Sequence, residues 1–531
     1  MLARLITVLA LVITAVYLYD AQILWDLRNQ TVETVTTGAH GVFNDYYGAL
    51  NDLYSNPEKK YPFYAQLAAL GLMFYFIFVK RSYDPSKKGY GGRAPTPLSR
   101  AEQDNLIAEW SPKPLIDNGI DPRPNQLGDE LVLNSRLGAS VDIEGIPGQV
   151  LNLSGYDFLG MSQLESIREK CKECLVQYGC GSCGPRGFYG TSDKHLELET
   201  ALAGFFNAEE AIIYSDSAST MSSIIPAFAK RGDVVVADIA VSESALAGIE
   251  LSRSTFKFFK HNDVKDLEQI LEALTRQLKR KSKPLSAIRR YVVIEGLYRN
   301  TGDFAPLAAI LAVAKKYKYR VILDDTMAIG TVGATGRGSL ERAGLKVTDV
   351  DFLAGSLSTA FGSVGGFCTG THVAIDHQRL AGSGYCFSAS SPPFTCVAAL
   401  EAMKFIDAEP THLASLKANI ATANRLARAL PGVNVISDPE SPLIYLELSD
   451  EGAPQNRDDR FRIEQRLQSV VDACLHAEGQ GVLVSRARYV YPPPKSRRPV
   501  LPNPSIRITV SSLHTEQTLT TAFETLTAAL N

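Results

Sequence analysis

Between about residues 141 and 395, short and continuously apolar runs alternate with segments whose apolar residues recur every three or four positions. The runs are Ala211–Tyr214, Val234–Ala237, Tyr291–Ile294, Arg320–Leu323 and Asp351–Ala354. A strand with one face in water alternates apolar with polar residues, so unbroken runs predict strands covered on both faces. The intervening segments Val264–Lys279 and Pro306–Tyr317 predict amphipathic helices. Strands joined by helices imply an α/β fold with a large, mostly parallel sheet. From residue 396 the pattern turns helical, through Cys396–Ile406 and His412–Leu430. It then gives short strands near Pro442–Leu448, Val482–Val484 and Ser505–Val510, predicting a smaller α+β domain over 396–531. The proline-rich stretch Tyr491–Pro504 reads as a surface loop interrupting it.

Residues 1–98 carry a different pattern. Tyr61–Val79 is apolar and stops at Lys80-Arg81, with Lys87, Lys88 and Arg93 beyond. A run of this length followed by basic residues predicts a transmembrane helix whose basic side stays in the cytosol. Leu5–Tyr19 is shorter, and a second span, an interfacial helix and a signal-peptide core all fit it. If both runs cross, residues 20–60 are lumenal and Asn29-Gln-Thr31 is a glycosylation acceptor. Residues 99–140 read as a polar linker with one short helix at 99–110, capped by Ser99.

With 531 residues, 45% of them hydrophobic, the chain can build a sizeable core. A net charge of −3 excludes the broad basic face that nucleic-acid binding requires. Half of the eight cysteines fall in Cys171-x-x-Cys174-x5-Cys180-x-x-Cys183. The gap between the pairs is too short for a zinc ribbon, and 163–178 reads as a helix with Leu164, Ile167, Cys171, Cys174 and Leu175 on one face. Core cysteines are the expectation, and no metal site is expected.

The chemistry-bearing words are Gly181-Ser-Cys-Gly-Pro-Arg-Gly-Phe-Tyr-Gly-Thr191 with His195-Leu-Glu-Leu-Glu199, Val293-Ile-Glu-Gly-Leu-Tyr298 with Asn300-Thr-Gly302, and Ile375-Asp-His-Gln-Arg-Leu380 with Gly384-Tyr-Cys-Phe-Ser-Ala-Ser390. Together they resemble the long-chain-base-1 subunits of serine palmitoyltransferase, a branch of the α-oxoamine synthases, from about residue 60 to the C-terminus. The resemblance implies a fold-type-I pyridoxal-phosphate-dependent transferase, yet the segment aligned with its catalytic Thr-x-Ser-Lys stretch is Ser356-Leu-Ser-Thr359. A threonine hydroxyl cannot form the Schiff base that a lysine amine forms. The sequence holds no lysine between Lys346 and Lys404. By the same alignment, Asp324 keeps the carboxylate that faces the pyridine nitrogen. Met327 and Ser242 stand where two cofactor histidines are expected, and neither supplies a ring or that hydrogen bond. Asp324 also reads as a plain turn cap at a strand end, and Arg507, aligned with the arginine that clamps the substrate carboxylate, as a structural ion-pair residue.

The resemblance therefore implies a non-catalytic subunit of a heterodimer. A catalytic partner would bind pyridoxal phosphate and condense L-serine with a long-chain acyl-CoA, and this chain would complete the shared site in trans. Candidates for that support are Cys183, Tyr189, Thr191, Ser388 and Ser390. The family further implies residence in the endoplasmic reticulum membrane with the globular part in the cytosol. It also implies a small activating subunit and ORM-type regulators as partners. A self-sufficient homodimer and a purely scaffolding subunit are the alternatives.

Overall fold

The computed structural model describes residue 71 and residues 98–111, 130–280, 284–492 and 497–531. Two compact units divide at Leu115. In the first, the helix Arg100–Glu109 starts on a capping box: Ser99 Oγ accepts from Glu102 N, and the Glu102 carboxylate accepts from Ser99 N. The apolar runs 5–19 and 61–79 lie outside the described residues, Gly71 apart. Among the described residues no helix is long and apolar enough to cross a membrane.

The second unit holds three sheets. Strands β1 (Ser140–Asp142) and β2 (Gln149–Asn152) open it. Then come β3 (Glu210–Tyr214), β4 (Val234–Asp238), β5 (Thr255–Phe259), β6 (Arg290–Glu295), β7 (Arg320–Asp324), β8 (Phe352–Ser356) and β9 (Gly366–Gly370). These seven form one sheet in the order β3-β9-β8-β7-β6-β4-β5. β9 pairs antiparallel with both β3 and β8, and the pairings from β8 to β5 are all parallel. Every residue of β4 and β8 is buried, as continuous apolar runs require of a sheet with helices on both faces. The helix Val264–Lys279 forms as its periodicity predicts. Leu267, Leu271, Leu274 and Leu278 make its buried stripe, and Asp263 caps it by accepting from Lys265 N and Asp266 N. The helices Ser217–Phe228 and Glu243–Ser252 pack closely because Gly248 carries no side chain; a Cβ there would stand 2.6 Å from Met221 O.

Strands β10 (Val433–Val435), β11 (Leu443–Leu448), β13 (Ser485–Arg486) and β14 (Ile506–Thr509) make an antiparallel sheet in the order β10-β11-β14-β13. The expected strand at 482–484 is divided: β12 (Val482–Leu483) pairs in parallel with β2, and the next residues cross to β14. The proline-rich stretch is not a free surface loop. Its described flanks are largely half-buried, because Arg460 Nη1 donates to Pro502 O at 2.7 Å and Tyr491 OH donates to Glu464 at 3.1 Å. Arg498, on the same stretch, pairs with Glu250 at 2.8 Å and with Glu243.

Candidate functional site

Parallel strands of an open sheet end in a crevice, and in such folds the crevice at the carboxyl ends is where ligands bind. Here it is a cavity of about 780 Å³. The segments after β4, β6, β7 and β8 contribute Ser242, Glu295, Asp324, Met327 and Thr359, and the proline-rich stretch contributes Val490 and Val500 to Pro502. No lysine lines the cavity among the described residues.

The structure brings the four aligned positions of the expected cofactor pocket together and shows what each does. Thr359 is buried, and its Oγ1 donates to Thr326 O at 3.2 Å. Thr326 in turn donates to Asp324 Oδ1, from Oγ1 at 2.6 Å and from N at 3.1 Å. Asp324 thus closes a turn at the end of β7, as its plain reading held. Met327 is buried in the core. Ser242 is buried at the start of the helix Glu243–Ser252, and its backbone N–H donates to Glu295 Oε1. Its hydroxyl makes no hydrogen bond of acceptable geometry, although it lies close enough to Asp324 and Glu295 to favour their charged forms.

Three features of the cavity were not anticipated. Glu295 ends β6 directly opposite Asp324 on β7. Burial, with the charge of Asp324 beside it, pushes the Glu295 carboxyl up to about 8, and burial raises Asp324 as well. The signal was present: Tyr291-Val-Val-Ile-Glu295 and Arg320-Val-Ile-Leu-Asp324 are both apolar runs ending in an acid. Second, Asp216 caps the helix Ser217–Phe228, accepting from Ala218 N at 2.8 Å and Ser219 N at 3.1 Å. Those amides at a cavity-lining helix start would otherwise be free for an anion. Third, Arg299 lines the cavity over the Tyr156 ring at 5.3 Å.

Arg507 makes no ion pair among the described residues. Its guanidinium lies 4.7 Å from the centre of the same Tyr156 ring and donates to Tyr156 OH and to Ser485 Oγ, the latter at 2.9 Å. A third strand-end acid, Asp238, accepts from His261 Nδ1 at 2.8 Å, while Asp303 accepts from Nε2 at 2.8 Å. Burial opposes a charge on His261, but the two carboxylates outweigh it and hold the ring up to about 10.

The five residues expected to act in trans gather elsewhere. The glycine turn 181–191 packs against 388–391: Ser390 N donates to Gly184 O at 2.9 Å, Ser390 Oγ to Gly184 O at 3.0 Å and to Gly190 O, and Ser182 Oγ to Ser390 O at 2.5 Å. Cys183 and Tyr189 have positive φ, 60° and 66°, and both are exposed. Thr191 Oγ1 donates to Arg186 O at 2.7 Å, and Ser388 Oγ meets Ser215 Oγ at 2.9 Å. Behind the turn, Arg186 and Glu199 form a buried two-pronged ion pair at 2.9 and 3.0 Å. Buried His195 accepts from Ser192 N and faces Ser391 O at 2.9 Å, which makes Nε2 its protonated nitrogen. Phe188, Tyr189 and Phe387 stand out from this surface, with Phe387 86% exposed. Cys171 and Cys174 lie in the helix Glu165–Tyr178, half-buried and buried, while Cys180 and Cys183 fall beyond its end and are exposed.

The sequence matches the family described as aminotransferase class I and II over residues 148–526. Serine palmitoyltransferase 1 of Dictyostelium discoideum is 40% identical over 450 residues, covering 83% of this chain and 89% of that protein. This chain belongs to the serine palmitoyltransferase 1 family. Long chain base biosynthesis protein 1 of Arabidopsis thaliana, another relative, is 37% identical and covers 86% and 89% of the two chains. Among solved structures, a serine palmitoyltransferase from S. paucimobilis with a bound PLP–myriocin aldimine has a TM-score of 0.65 at 26% identity, covering 81% of this chain and 96% of that one. The serine palmitoyltransferase of Sphingomonas wittichii gives the same score and identity. The pyridoxal-phosphate-dependent fold expected from the motifs is thereby shown for the globular part.

Proposed function

We propose that this chain is the non-catalytic subunit of a serine palmitoyltransferase, condensing L-serine with a long-chain acyl-CoA only as part of a complex. The observation that carries this is Thr359: its hydroxyl sits at the lysine position, already committed to Thr326 O, in a cavity with no lysine among its described residues. Pyridoxal phosphate supplies the electron sink of the family's chemistry. The residues of this cavity do not fit it as a covalently held group. There is no amine for the imine, Met327 offers no hydrogen bond, and the Asp216 carboxylate occupies the helix-start amides that a phosphate would need. The cofactor and the bond-making steps therefore belong to a catalytic partner.

This chain's part is the exposed turn at 181–191 with Ser388 and Ser390. Two positive-φ residues present its tip, and Phe188, Tyr189 and Phe387 offer apolar area that a partner would cover. Residues 61–79 would anchor the chain in the endoplasmic reticulum membrane, with the globular part in the cytosol. That segment would also be the docking place for small activating subunits and ORM-type regulators. The test is to purify the chain alone and with its catalytic partner. The expected result is an aldimine absorbance band only in the complex, fixed by borohydride onto a lysine of the partner. A reduced adduct on this chain would establish a self-sufficient enzyme. Full turnover by a complex carrying changes at both Cys183 and Ser390 would reduce the turn to a scaffold.

A further inference from the structure

Of the three acids at the strand ends, Asp238 has a cation of its own in His261. Glu295 and Asp324 have none at such range. Their hydrogen bonds come from neutral donors: Ser242 N and Arg299 N to Glu295, Thr326 N and Oγ1 to Asp324. Thr326 uses only Oδ1 of Asp324, leaving Oδ2. Both acids are buried, and beside them Ser242, a residue 7% exposed, lines the same cavity with its hydroxyl close to both carboxylates. Two adjacent buried carboxyls with no cation in ion-pair contact among the described residues are costly to charge unless something completes them. Above them the cavity has apolar walls from Ile239, Leu246, Val490, Val500 and Leu501.

We infer that the floor of this cavity binds a primary ammonium group, whose three N–H donors are shared by Asp324, Glu295 and Ser242 while its alkyl part lies on the apolar wall. This goes beyond the subunit role but rests on it, since a cofactor held in this cavity would occupy the same floor; the aldimine assay above and the titration below fail independently of one another. An ammonium is compact and has three donors, which suits two carboxylates and one hydroxyl at close quarters. Burial keeps a proton on the acid pair when the cavity is empty, so binding releases that proton to solvent and leaves an ammonium against carboxylates. The other charged groups around the cavity are Arg299, Arg488, Asp216, which is spent as a helix cap, and Arg498, which is paired with Glu243 and Glu250. Arg299 favours the charged form of Asp324 and could also receive an anionic group on the same ligand.

The experiment is calorimetric titration of the full-length chain in detergent with n-propylamine, with L-2-aminobutyrate (the same amine bearing a carboxylate) and with 1-propanol. The amine is expected to bind saturably and more tightly from about pH 6 to about pH 8, where it stays charged while the acids lose their proton. Its binding enthalpy should vary with the ionisation enthalpy of the buffer. Asp324→Asn should weaken it by about tenfold or more. Ser242→Ala, a change too small to threaten the fold, should weaken it a few-fold and keeps the test decisive if the first variant misfolds. Tighter binding of L-2-aminobutyrate would assign an amino acid or similar zwitterion as the ligand class, and weaker binding a simple amine. Failure of both amines to saturate the wild-type chain, or equal binding of 1-propanol, overturns the proposal.

Discussion

The cavity and the glycine turn have been shaped in opposite directions. At the cavity the polar groups are largely turned inward on one another: Thr359 serves Thr326, Thr326 serves Asp324, and Asp216 serves its own helix. At the turn the interior is equally well satisfied, by Arg186 with Glu199 and by Ser390 with Gly184 and Gly190, but the outer side chains are left without cover. A surface that holds Tyr189 fully exposed on a strained positive-φ backbone is built to meet something. On the proposed reading, a pocket that hydrogen-bonds its own reactive positions is one released from chemistry. On that reading, loss of catalysis leaves two separable signatures: internal hydrogen bonding at Thr359, Thr326 and Asp216, and positive-φ backbone with exposed side chains where contact is proposed to persist.

Breaking the support of the turn should have the largest effect. Arg186→Ala leaves Glu199 buried without its cation, which costs about 3–5 kcal/mol. Thermal unfolding should register it, with loss of assembly with the catalytic partner; Arg186→Lys should restore part of the stability and little of the two-pronged geometry. The next effect lies in the cavity. Folded Glu295 titrates near 8 against an ordinary 4.5, so the native state binds more protons than the unfolded chain between those values. Stability therefore falls as pH rises through that window. Glu295→Gln should flatten the slope and raise Tm by about 2–4 °C at the alkaline end, read by melting curves across pH; a slope that stays unchanged would remove the buried acid pair from the description. Smaller still is Asp216→Ala, which uncaps a helix for about 1 kcal/mol. If the amides it frees are the anion site of the fold, that variant should also gain weak phosphate binding, detectable by ³¹P NMR. At the low end, Thr359→Lys alone should yield no aldimine band and no turnover in the isolated chain, since Met327, Ser242 and Asp216 remain.

Five of the seven strands of the large sheet were legible because their short, continuously apolar runs alternate with amphipathic helices, whereas β5, Thr255-Phe-Lys-Phe-Phe259, is interrupted by a lysine, only half-buried, and was passed over. β9 was hidden: Gly366-Phe-Cys-Thr-Gly370 is weak in strand formers, and it pairs because Gly355 and Gly366 let backbones and rings close up. The division of 482–486 between two sheets was equally invisible, since pairing partners are set by tertiary packing and not by the run itself. At the site, the losses at Thr359, Met327 and Ser242 could be seen because chemistry constrains residue type. Glu295 and Asp216 were passed over because an acid at a strand end or helix start has an ordinary structural use, and only their shared cavity reveals more. The proline-rich stretch looked solvated by composition, but Arg498 and Pro502 tie it down through partners distant in sequence.

The parallel pairing of β2 with β12 also sets a timetable. Gln149 and Gln480, which bond beside that pairing, are separated by 331 positions. During synthesis β1 and β2 must wait, with an unpaired edge, until nearly the whole polypeptide has emerged. Contacts of such long range make folding slow and expose the waiting edge to wrong pairing. A truncation before residue 482 should consequently leave the β2 edge that faces β12 unprotected in hydrogen exchange even where the seven-stranded sheet has formed, which makes roughly the last tenth of the chain the checkpoint for its first strands.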